Sequence, residues 1–398
     1  MRIAIVAGEA SGDLLGATLI HAVLERWPQA EFYGIAGPRM VAQGARTFVP
    51  MEKLSVFGYL EVLRHIPEIL GIRRRLAAEL LARPPDLFIG VDAPDFNFGL
   101  ETKLKAAGIP TIHYVSPSIW AWRAERIHGI KRAVERMLVM FPFEEPIYRA
   151  AGIPVSYVGH PLADAMPVHP NYHDTRTQLR IAAGAVGIAM LPGSRMKELE
   201  LHADLFIDAM ARLHAQRPEL RFFVPLATRE TRDYFETRLY VKEARDLPIQ
   251  ILHGHARLAL HAADAAIVAS GTATLEAALA RCPMVITYRL TALTYRMLRR
   301  KALLPYVGLP NVLAGEFIVP ELLQDDATPA NLAQALGNWL DHKGARERLK
   351  ERFGRLHAML ACDHSRRIIE ALAPYLDRAP QSAVPSHRDD GRRAPVRG

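Results

Sequence analysis

Residues 265–280 read Ala-Ala-Ile-Val-Ala-Ser-Gly-Thr-Ala-Thr-Leu-Glu-Ala-Ala-Leu-Ala, and this stretch decides the fold. The apolar run 266–269 predicts a buried parallel strand that ends at Ser270. Gly271 permits a tight turn, and Ser270 or Thr272 is expected to cap the Ala/Leu-rich helix that follows. Such a turn is typical of phosphate sites, because free N–H groups and the positive end of the helix dipole meet there. An ordinary capped helix has the same pattern, so the rest of the chain must decide.

The alternation of apolar strands and helical segments recurs along the whole chain. Because most of the strands are continuously apolar, they are expected to be buried on both faces of parallel sheets. The predicted fold class is therefore α/β, with two Rossmann-like, doubly wound domains whose ligands lie beyond the carboxyl ends of the strands. The predicted strands are 2–8, 31–37, 46–50, 86–93, 111–117, 136–142, 155–160, 186–191, 221–226, 249–252, 266–269 and 284–288.

The domain limits follow from composition. Three prolines within 161–171 predict a linker. The expected parts are an N-terminal domain at 1–165, a C-terminal domain at 166–345, helices at 346–377 that pack back across the domain junction, and a disordered tail at 378–398. The tail is rich in Pro, Ser and Arg, which disfavours a packed core.

Composition limits the function classes. The chain of 398 residues carries a formal charge of +8, which suits nucleic acid, an anionic membrane surface or a phosphorylated substrate. Two cysteines cannot build a disulfide framework, and this favours a reducing compartment. The N-terminus has the pattern of a first strand rather than a signal peptide, and no apolar run is long enough to cross a membrane. Neither metal-ligand spacing nor a DxD pair is present, so no metal and no cofactor are expected.

Polar residues in the first half follow predicted strands. The first strand is followed by Gly-Glu-Ala-Ser-Gly-Asp at 8–13, where Glu9, Ser11 and Gly12 either meet a sugar or phosphate or only begin a helix. The fourth strand is followed by Asp92 and Asp95. A carboxylate at this position can act as general base toward a hydroxyl, although either residue can instead cap the next helix.

A loop with two tryptophans follows the fifth strand. It contains Ser116, Trp122 and Arg123. Aromatic side chains can form the wall of a sugar site, and packing in the core is the alternative for each tryptophan.

Residues 57–80 combine dense apolar residues with three consecutive arginines. Pro67 is expected to interrupt the helix predicted here. The pattern suits a surface helix that contacts an anionic membrane or an acyl chain, and a core helix with solvated arginines is the alternative. The candidate contact residues are Tyr59, Leu60, Leu63, Ile66, Leu70, Arg73, Arg74 and Arg75.

The second half contains a second phosphate-friendly turn. Residues 191–195 read Leu-Pro-Gly-Ser-Arg, where Ser194 and Arg195 can neutralise a diphosphate near a helix start; a salt-bridged surface arginine is the alternative. Glu276, one turn into the helix of the opening stretch, is placed to hold a ribose. Asn311 lies in a predicted stiff loop at 309–315, where its amide can bind a base or hydroxyl.

One predicted domain has two turns suited to phosphate binding, and the other has a carboxylate at a strand end. Together they predict a nucleotide-sugar enzyme. Seven motifs together resemble the lipid-A-disaccharide synthase family, in order from about Ile3 to Tyr375. They are Val-Ala-Gly-Glu-Ala-Ser-Gly-Asp, Ile-Ala-Gly-Pro-Arg-Met, Val-Asp-Ala-Pro-Asp-Phe-Asn, His-Tyr-Val-Ser-Pro-Ser-Ile-Trp-Ala-Trp-Arg, Leu-Pro-Gly-Ser-Arg, Ala-Ser-Gly-Thr-Ala-Thr-Leu-Glu and Leu-Pro-Asn-Val-Leu-Ala-Gly.

The resemblance implies a GT-B glycosyltransferase that works on the cytoplasmic face of the inner membrane. Its domains would face a cleft, with UDP-2,3-diacylglucosamine as donor and 2,3-diacylglucosamine 1-phosphate (lipid X) as acceptor. The product would be the β-1,6-linked lipid A disaccharide, formed with inversion. The resemblance places Asp92 as the base, residues Arg195, Glu276 and Asn311 around UDP, and 57–75 at the anionic membrane surface. Ser270, Gly271 and Thr272 are expected at the diphosphate, and a homodimer is left open.

Two rival functions are considered. A UDP-sugar 2-epimerase on the same fold would need chemistry at the sugar C2 and no acyl site. A basic nucleic-acid-binding protein is the second rival, but the arginines are scattered or grouped at one apolar helix, without a nucleic-acid-binding motif. No nucleic-acid partner is therefore expected.

Overall fold

The computed structural model describes residues 1–54, 59–168, 171–182 and 184–377, with the side chains of 59–64 and 293 left aside. Contacts divide the chain into two compact units. The first unit contains Met1–Tyr114, Ala133–Glu135 and the chain from Ile368, and the second contains Val115–Arg132 and Arg136–Arg367. The domain limits predicted from composition stay a prediction.

The strands appear where the apolar runs predict them, and one further strand is added. In chain order, β1 to β13 span Arg2–Ala7, Glu31–Ile35, Arg46–Thr47, Leu87–Val91, Thr111–Tyr114, Arg136–Val139, Val155–Tyr157, Val186–Leu191, Leu220–Leu226, Ile249–His253, Ala265–Ala269, Met284–Tyr288 and Glu321–Leu323. Strand β13 is not predicted from the sequence, because it has only three residues, one of them acidic.

Helices connect the strands. In chain order, α1 to α17 span Ala10–Arg26, Pro38–Ala42, Tyr59–Ala82, Pro94–Ala106, Ile127–Ala133, Glu145–Ala150, Pro161–Ala165, Tyr172–Gln178, Met196–Gln216, Arg229–Val241, Ala256–Ala262, Thr272–Leu279, Ala292–Arg299, Leu309–Ala314, Pro329–Asp341, Lys343–Leu360 and His364–Leu376. Single 3-10 turns lie at Met51–Lys53, Ala124–Arg126, Pro142–Glu144 and Gln324–Asp326.

The parallel strands of the first unit follow the order β3-β2-β1-β4-β5. Strand β4 is fully buried along its length, which explains its continuous apolar sequence. The chain order reverses between β1 and β4, so their carboxyl ends form a topological switch point. Ligands of doubly wound sheets bind outside such a point.

The second unit repeats the architecture. It contains the parallel pair β6-β7 and a six-stranded parallel sheet in the order β10-β9-β8-β11-β12-β13. Its switch point lies between β8 and β11, where Leu191 pairs with Val268. Two apolar clusters in this unit contain Phe353 and Phe206, both fully buried. The α/β prediction of parallel, doubly wound sheets is confirmed.

Two local predictions are wrong, and the predicted linker contains a short helix. Helix α3 continues through Pro67, whose ring is exposed, although proline removes one backbone donor inside the helix. The predicted loop 309–315 contains helix α14, because Pro310 occupies its first turn, where proline is favoured. The predicted linker is helical over Pro161–Ala165, and His357 Nε2 lies 2.7 Å from the carbonyl oxygen of Ala163.

The C-terminal helical run is two helices, α16 and α17. The end of α17 belongs to the first unit, where Asp377 accepts a hydrogen bond from Trp27 Nε1 at 3.1 Å. This confirms that a C-terminal helix returns to the N-terminal part of the chain. The predicted disordered tail, 378–398, lies outside the described residues. Among the helices described, none is long and apolar enough to cross a membrane.

Candidate functional site

The switch point of the first unit brings Asp92 together with the turn that follows β1. A Cβ added to Gly8 would lie 2.7 Å from Ala93 Cβ, and one added to Gly12 would lie 3.4 Å from Val91 O and 3.8 Å from Asp92 Cβ. The two predicted acceptor segments are therefore in contact. The small size of the glycines is what permits this approach.

The backbone at the end of β4 is held in an uncommon conformation. Asp92 and Ala93 both have positive φ, 52° and 43°. Such residues cost free energy and persist where the surrounding structure determines them. Asn97 supplies part of that restraint, because its Nδ2 donates a hydrogen bond to Asp92 O at 2.8 Å. The half-buried Asp92 carboxylate itself accepts no hydrogen bond from the described residues, which leaves it available to a substrate.

A buried pair of polar side chains, Glu101 and His113, lies beside the end of β4. Glu101 and His113 are fully buried, with Oε1 and Nδ1 2.7 Å apart. Burial raises the pKa of Glu101, and the neighbouring imidazole opposes the shift. Gly90 is required here, since a Cβ would lie 2.2 Å from Glu101 Oε1. The hydrogen bond joins α4 to β5 beside the end of β4, while Glu101 Oε2 and His113 Nε2 have no partner among the described residues.

The other acceptor candidates of the first unit occupy varied positions. Glu9 is half-buried at the start of α1, Ser11 is exposed, and Gly12 is buried. Asp95 is exposed on the first turn of α4, and its carbonyl oxygen accepts a hydrogen bond from Arg73 Nη1 at 3.3 Å.

The loop after β5 is anchored by buried hydrogen bonds in the second unit. Val115 has a φ of 84°, an uncommon value for a β-branched residue. Ser116 Oγ lies 2.7 Å from Tyr148 Oη, so this predicted site residue is engaged within the protein. The Arg123 guanidinium lies over the Trp122 ring at 4.2 Å, a cation–π pair.

Glu144 is a further buried residue that holds the loop after β5 through hydrogen bonds. It is 2% exposed, and its two carboxylate oxygens accept hydrogen bonds from Trp120 Nε1 at 3.2 Å and Phe141 N at 3.1 Å. Burial raises the pKa of Glu144 to about 8, although these hydrogen bonds act in the opposite direction.

Replacing Glu144 by glutamine is expected to remove one pH dependence of stability. Because the folded-state pKa is raised, folding holds a proton that the unfolded chain releases. The parent therefore loses stability as pH rises from 4.5 to 8, by up to about 1.4 kcal/mol for each pH unit. Urea unfolding should show Glu144→Gln gaining stability relative to the parent over this range. The exposed Glu125→Gln variant is the control, and a constant difference between Glu144→Gln and parent would contradict the assignment.

The turn predicted to bind the UDP-sugar donor, called the donor turn below, begins at Gly271 in the second unit. Its φ of 145° favours glycine, and a Cβ there would meet nothing within 4 Å. The prediction that Ser270 or Thr272 caps the helix is wrong, because Gly271 is the N-cap and no side chain caps α12. Ser270 Oγ instead donates to Val307 O at 3.5 Å. The open space at Gly271 is suited to an anion at the helix start.

Glu276 lies half-buried on α12. Burial raises its pKa, and the positive charge of Arg257 partly offsets this. Its carboxylate accepts no hydrogen bond from the described residues, so it can accept one from a ribose hydroxyl.

The second predicted phosphate turn lies at the adjacent strand end. Gly193 has a φ of 126°, and Ser194 and Arg195 are exposed. Glu198 Oε2 accepts hydrogen bonds from the N–H groups of Ser194 and Arg195, at 3.0 and 3.4 Å. This helix start is therefore capped by its own acid, and the exposed Arg195 guanidinium forms an ion pair with Glu198, with Nη1 and Oε1 3.5 Å apart.

Asn311 is fully buried and its amide is saturated. Its Nδ2 donates to Val319 O and Glu321 Oε1, at 3.0 and 2.8 Å, and its Oδ1 accepts from the N–H groups of Ile318 and Val319, at 2.8 and 3.0 Å. The direct ligand contact predicted for this side chain is therefore not available in this structure. Glu321 also accepts hydrogen bonds from Val307 N and Gly308 N, both at 2.9 Å. Asn311 thus holds the segment beside the donor turn.

The membrane-contact candidates on α3 divide into three groups. The side chains of Tyr59, Leu60 and Leu63 lie outside those described. Ile66, Arg74 and Arg75 are exposed, and Leu70 is half-buried. Arg73 packs within the unit, on Asp95 O and against Gly99.

The sequence alone predicts no role for Asn97, Glu144, Glu198 or Glu321. Glu198 had the clearest signal, an acid in the first turn of a helix. Asn97 lies five residues after Asp92, but nothing in its spacing indicates a bond to that backbone. The roles of Glu144 and Glu321 depend on tertiary contacts.

Comparisons with known proteins bear on this arrangement. A family model described as lipid-A-disaccharide synthetase matches residues 3–371. The lipid-A-disaccharide synthase of Methylobacillus flagellatus is 54% identical over 374 residues, covering 94% of this chain and 99% of its own. That of Chromobacterium violaceum is 53% identical over 372 residues, covering 94% and 96%.

Solved structures share the fold at low identity. The S. aureus MnaA–UDP co-structure has a TM-score of 0.62 at 14% identity, covering 94% of this chain and 97% of its own. The UDP-GlcNAc 2-epimerase from Neisseria meningitidis bound to UDP-GlcNAc has a TM-score of 0.62 at 13% identity, covering 94% and 100%. The Anabaena Alr3699/HepE complex with UDP and glucose has 0.58 at 13%, covering 95% and 99%. At these identities they show the fold alone, which is GT-B.

Proposed function

The chain belongs to the lipid-A-disaccharide synthetase family, and from this premise we propose how its residues carry out the reaction. The chain is a hexosyltransferase of lipid A biosynthesis. It joins UDP-2,3-diacylglucosamine to 2,3-diacylglucosamine 1-phosphate, giving the β-1,6-linked disaccharide 1-phosphate and UDP with inversion. The observation that carries the assignment of roles is Asp92, whose backbone has a positive φ and whose half-buried carboxylate has no hydrogen-bond donor among the described residues.

Asp92 acts as the general base. Its carboxylate takes the proton of the acceptor 6-hydroxyl as that oxygen attacks the anomeric carbon of the donor. The new C1–O6 bond forms while the bond from C1 to the UDP phosphate oxygen breaks, and UDP leaves with the electron pair. A single displacement inverts the anomeric carbon, so no covalent enzyme intermediate is needed.

The donor is held at the switch point of the second unit. The start of α12 at Gly271 and Thr272 receives the diphosphate, and Arg195 neutralises its charge. Glu276 accepts a hydrogen bond from the ribose. Asn311 contributes indirectly, through the segment that carries Val307 and Gly308.

Replacing Arg195 by alanine is expected to weaken UDP binding about ten- to a hundredfold, the usual effect of losing a hydrogen bond to a charged group. Isothermal titration with UDP measures this directly. Lys197→Ala, an exposed cation on the same helical turn, is the matched control and should change affinity little. Equal UDP affinities for Arg195→Ala and the parent would remove Arg195 from the donor site.

The acyl chains of both substrates require access to a lipid phase. We propose that the exposed residues of α3, among them Ile66, Arg74 and Arg75, contact the anionic face of the inner membrane from the cytoplasmic side. A homodimer is compatible with this arrangement.

A UDP-GlcNAc 2-epimerase is the second candidate, because enzymes of that name share the fold. Incubation with plain UDP-GlcNAc followed by sugar analysis separates the two functions. Unchanged UDP-GlcNAc, together with consumption of the acylated donor only when the acceptor is present, supports the transferase. Formation of the 2-epimer would support the rival.

A further inference from the structure

The segment from α13 to Val307 combines exposed cations with exposed aliphatic side chains. Within the sequence, no acidic residue occurs between Glu276 and Glu316. Arg296, Arg299, Arg300 and Lys301 are all exposed. Among the described residues, none forms a hydrogen bond or ion pair with their side-chain nitrogens.

The two acidic residues that follow the segment in sequence are already engaged. Glu316 pairs with Arg352, and Glu321 accepts hydrogen bonds from Val307, Gly308 and Asn311. The positive charge of 296–301 is therefore not neutralised by the acids that follow it in sequence, and it is offered to an anionic partner.

Exposed apolar residues accompany these cations. Met297 is 40% exposed, Leu303 is 55% exposed and Val307 is 45% exposed. The half-buried Tyr295 and Leu298 are three positions apart and so share one side of α13. Met297 and the C-cap residue Arg300 have the same spacing and share another side. The helix thus presents both charge and apolar surface outward.

The segment is anchored rather than loose. Leu303 N donates to Ala121 O at 2.9 Å, and Tyr306 Oη donates to Gly315 O at 2.6 Å. Val307 N donates a hydrogen bond to Glu321 Oε2, and Val307 O accepts one from Ser270 Oγ. The surface is therefore continuous with the donor turn of the second unit.

We propose that this basic apolar surface, formed by Arg296, Met297, Arg299, Arg300, Lys301 and Leu303, docks onto an anionic lipid bilayer. Basic side chains are attracted to acidic headgroups, and aliphatic side chains enter the boundary between headgroups and acyl chains. The surface belongs to the second unit, so it goes beyond the α3 contact and does not depend on it. A nucleic acid would use the same charges but would gain nothing from Met297 and Leu303.

Vesicle flotation tests the proposal on the full chain. Phosphatidylcholine vesicles with and without phosphatidylglycerol are compared for the parent, for Arg299→Gln/Arg300→Gln/Lys301→Gln and for Met297→Ser/Leu303→Ser. Each cation near an anionic bilayer contributes a factor of about five, so the triple variant should bind anionic vesicles about a hundredfold more weakly. The double variant should also bind more weakly, with the charges intact.

A second triple variant, Arg212→Gln/Lys343→Gln/Arg348→Gln, removes three exposed cations elsewhere in the same unit and is the matched control. If both triple variants lose the same affinity, the proposal is overturned. It is also overturned if the parent binds pure phosphatidylcholine equally well, or a short RNA more tightly than anionic vesicles at the same salt. Transfer in detergent micelles separates the claims: a parent that binds vesicles through this surface but makes no disaccharide contradicts the proposed function alone.

Discussion

Replacing Asp92 by asparagine is expected to reduce sugar transfer by about 10²–10⁴-fold, the usual contribution of a positioned general base. Asparagine keeps the size of the side chain and, like aspartate, tolerates the positive φ observed at this position. The variant should therefore fold normally and bind UDP with the affinity of the parent. What it loses is the ability to accept the proton of the acceptor hydroxyl, so kcat should fall while donor binding stays unchanged.

Asp95→Asn is the matched control for this prediction. Asp95 lies three residues away, and its exposed position on the first turn of α4 is that of a residue at a helix start. Its substitution should change transfer by less than about threefold, as expected for a surface position. If Asp95→Asn abolishes transfer and Asp92→Asn does not, the base has been assigned to the wrong carboxylate.

Replacing Asn311 by alanine is expected to cost about 3–5 kcal/mol of unfolding free energy, a large value for one side chain. The substitution leaves the N–H groups of Ile318 and Val319 and one carbonyl oxygen without their partner in a buried site. It also frees Glu321, which holds Val307 and Gly308 beside the donor turn. The affinity for UDP should fall, because the segment that contains Val307 and Gly308 would no longer be held in place.

Urea unfolding and UDP titration together decide the role of Asn311. Asn338→Ala is the control, because Asn338 is exposed and its side chain accepts one hydrogen bond, from Gln334. Its unfolding free energy should stay within about 0.5 kcal/mol of the parent. An Asn311→Ala protein with the stability of the parent and a lost affinity for UDP would contradict the positioning role and support direct contact.

Much of the architecture could be predicted from sequence, because a strand buried on both faces must be continuously apolar. Strand β4 is such a case: its five residues are all buried, and its end places Asp92 at the switch point. The predictions of where proline interrupts or excludes a helix were less accurate. Pro310 lies in the first turn of α14, where the missing N–H needs no partner. Pro67 lies inside α3, and the helix continues despite the loss of one backbone donor.

The site was predicted less completely than the fold. Residue type and position after strand ends indicated Asp92, Arg195 and Glu276. Asp92 directly follows β4, Arg195 directly precedes α9, and Glu276 lies one turn into α12. Sequence could not indicate which polar groups already have protein partners. Asn311 is saturated, and Ser116 is bonded to Tyr148; both facts depend on contacts between distant residues.

The central claim is that this chain transfers a diacylated glucosamine to the 6-hydroxyl of a second one. Mass spectrometry of a reaction with UDP-2,3-diacylglucosamine and 2,3-diacylglucosamine 1-phosphate tests it most directly. We expect a tetraacylated disaccharide monophosphate and an equal amount of UDP, both formed about 10²–10⁴-fold more slowly with Asp92→Asn. Release of UDP without the disaccharide, or the same yield from Asp92→Asn, would contradict it.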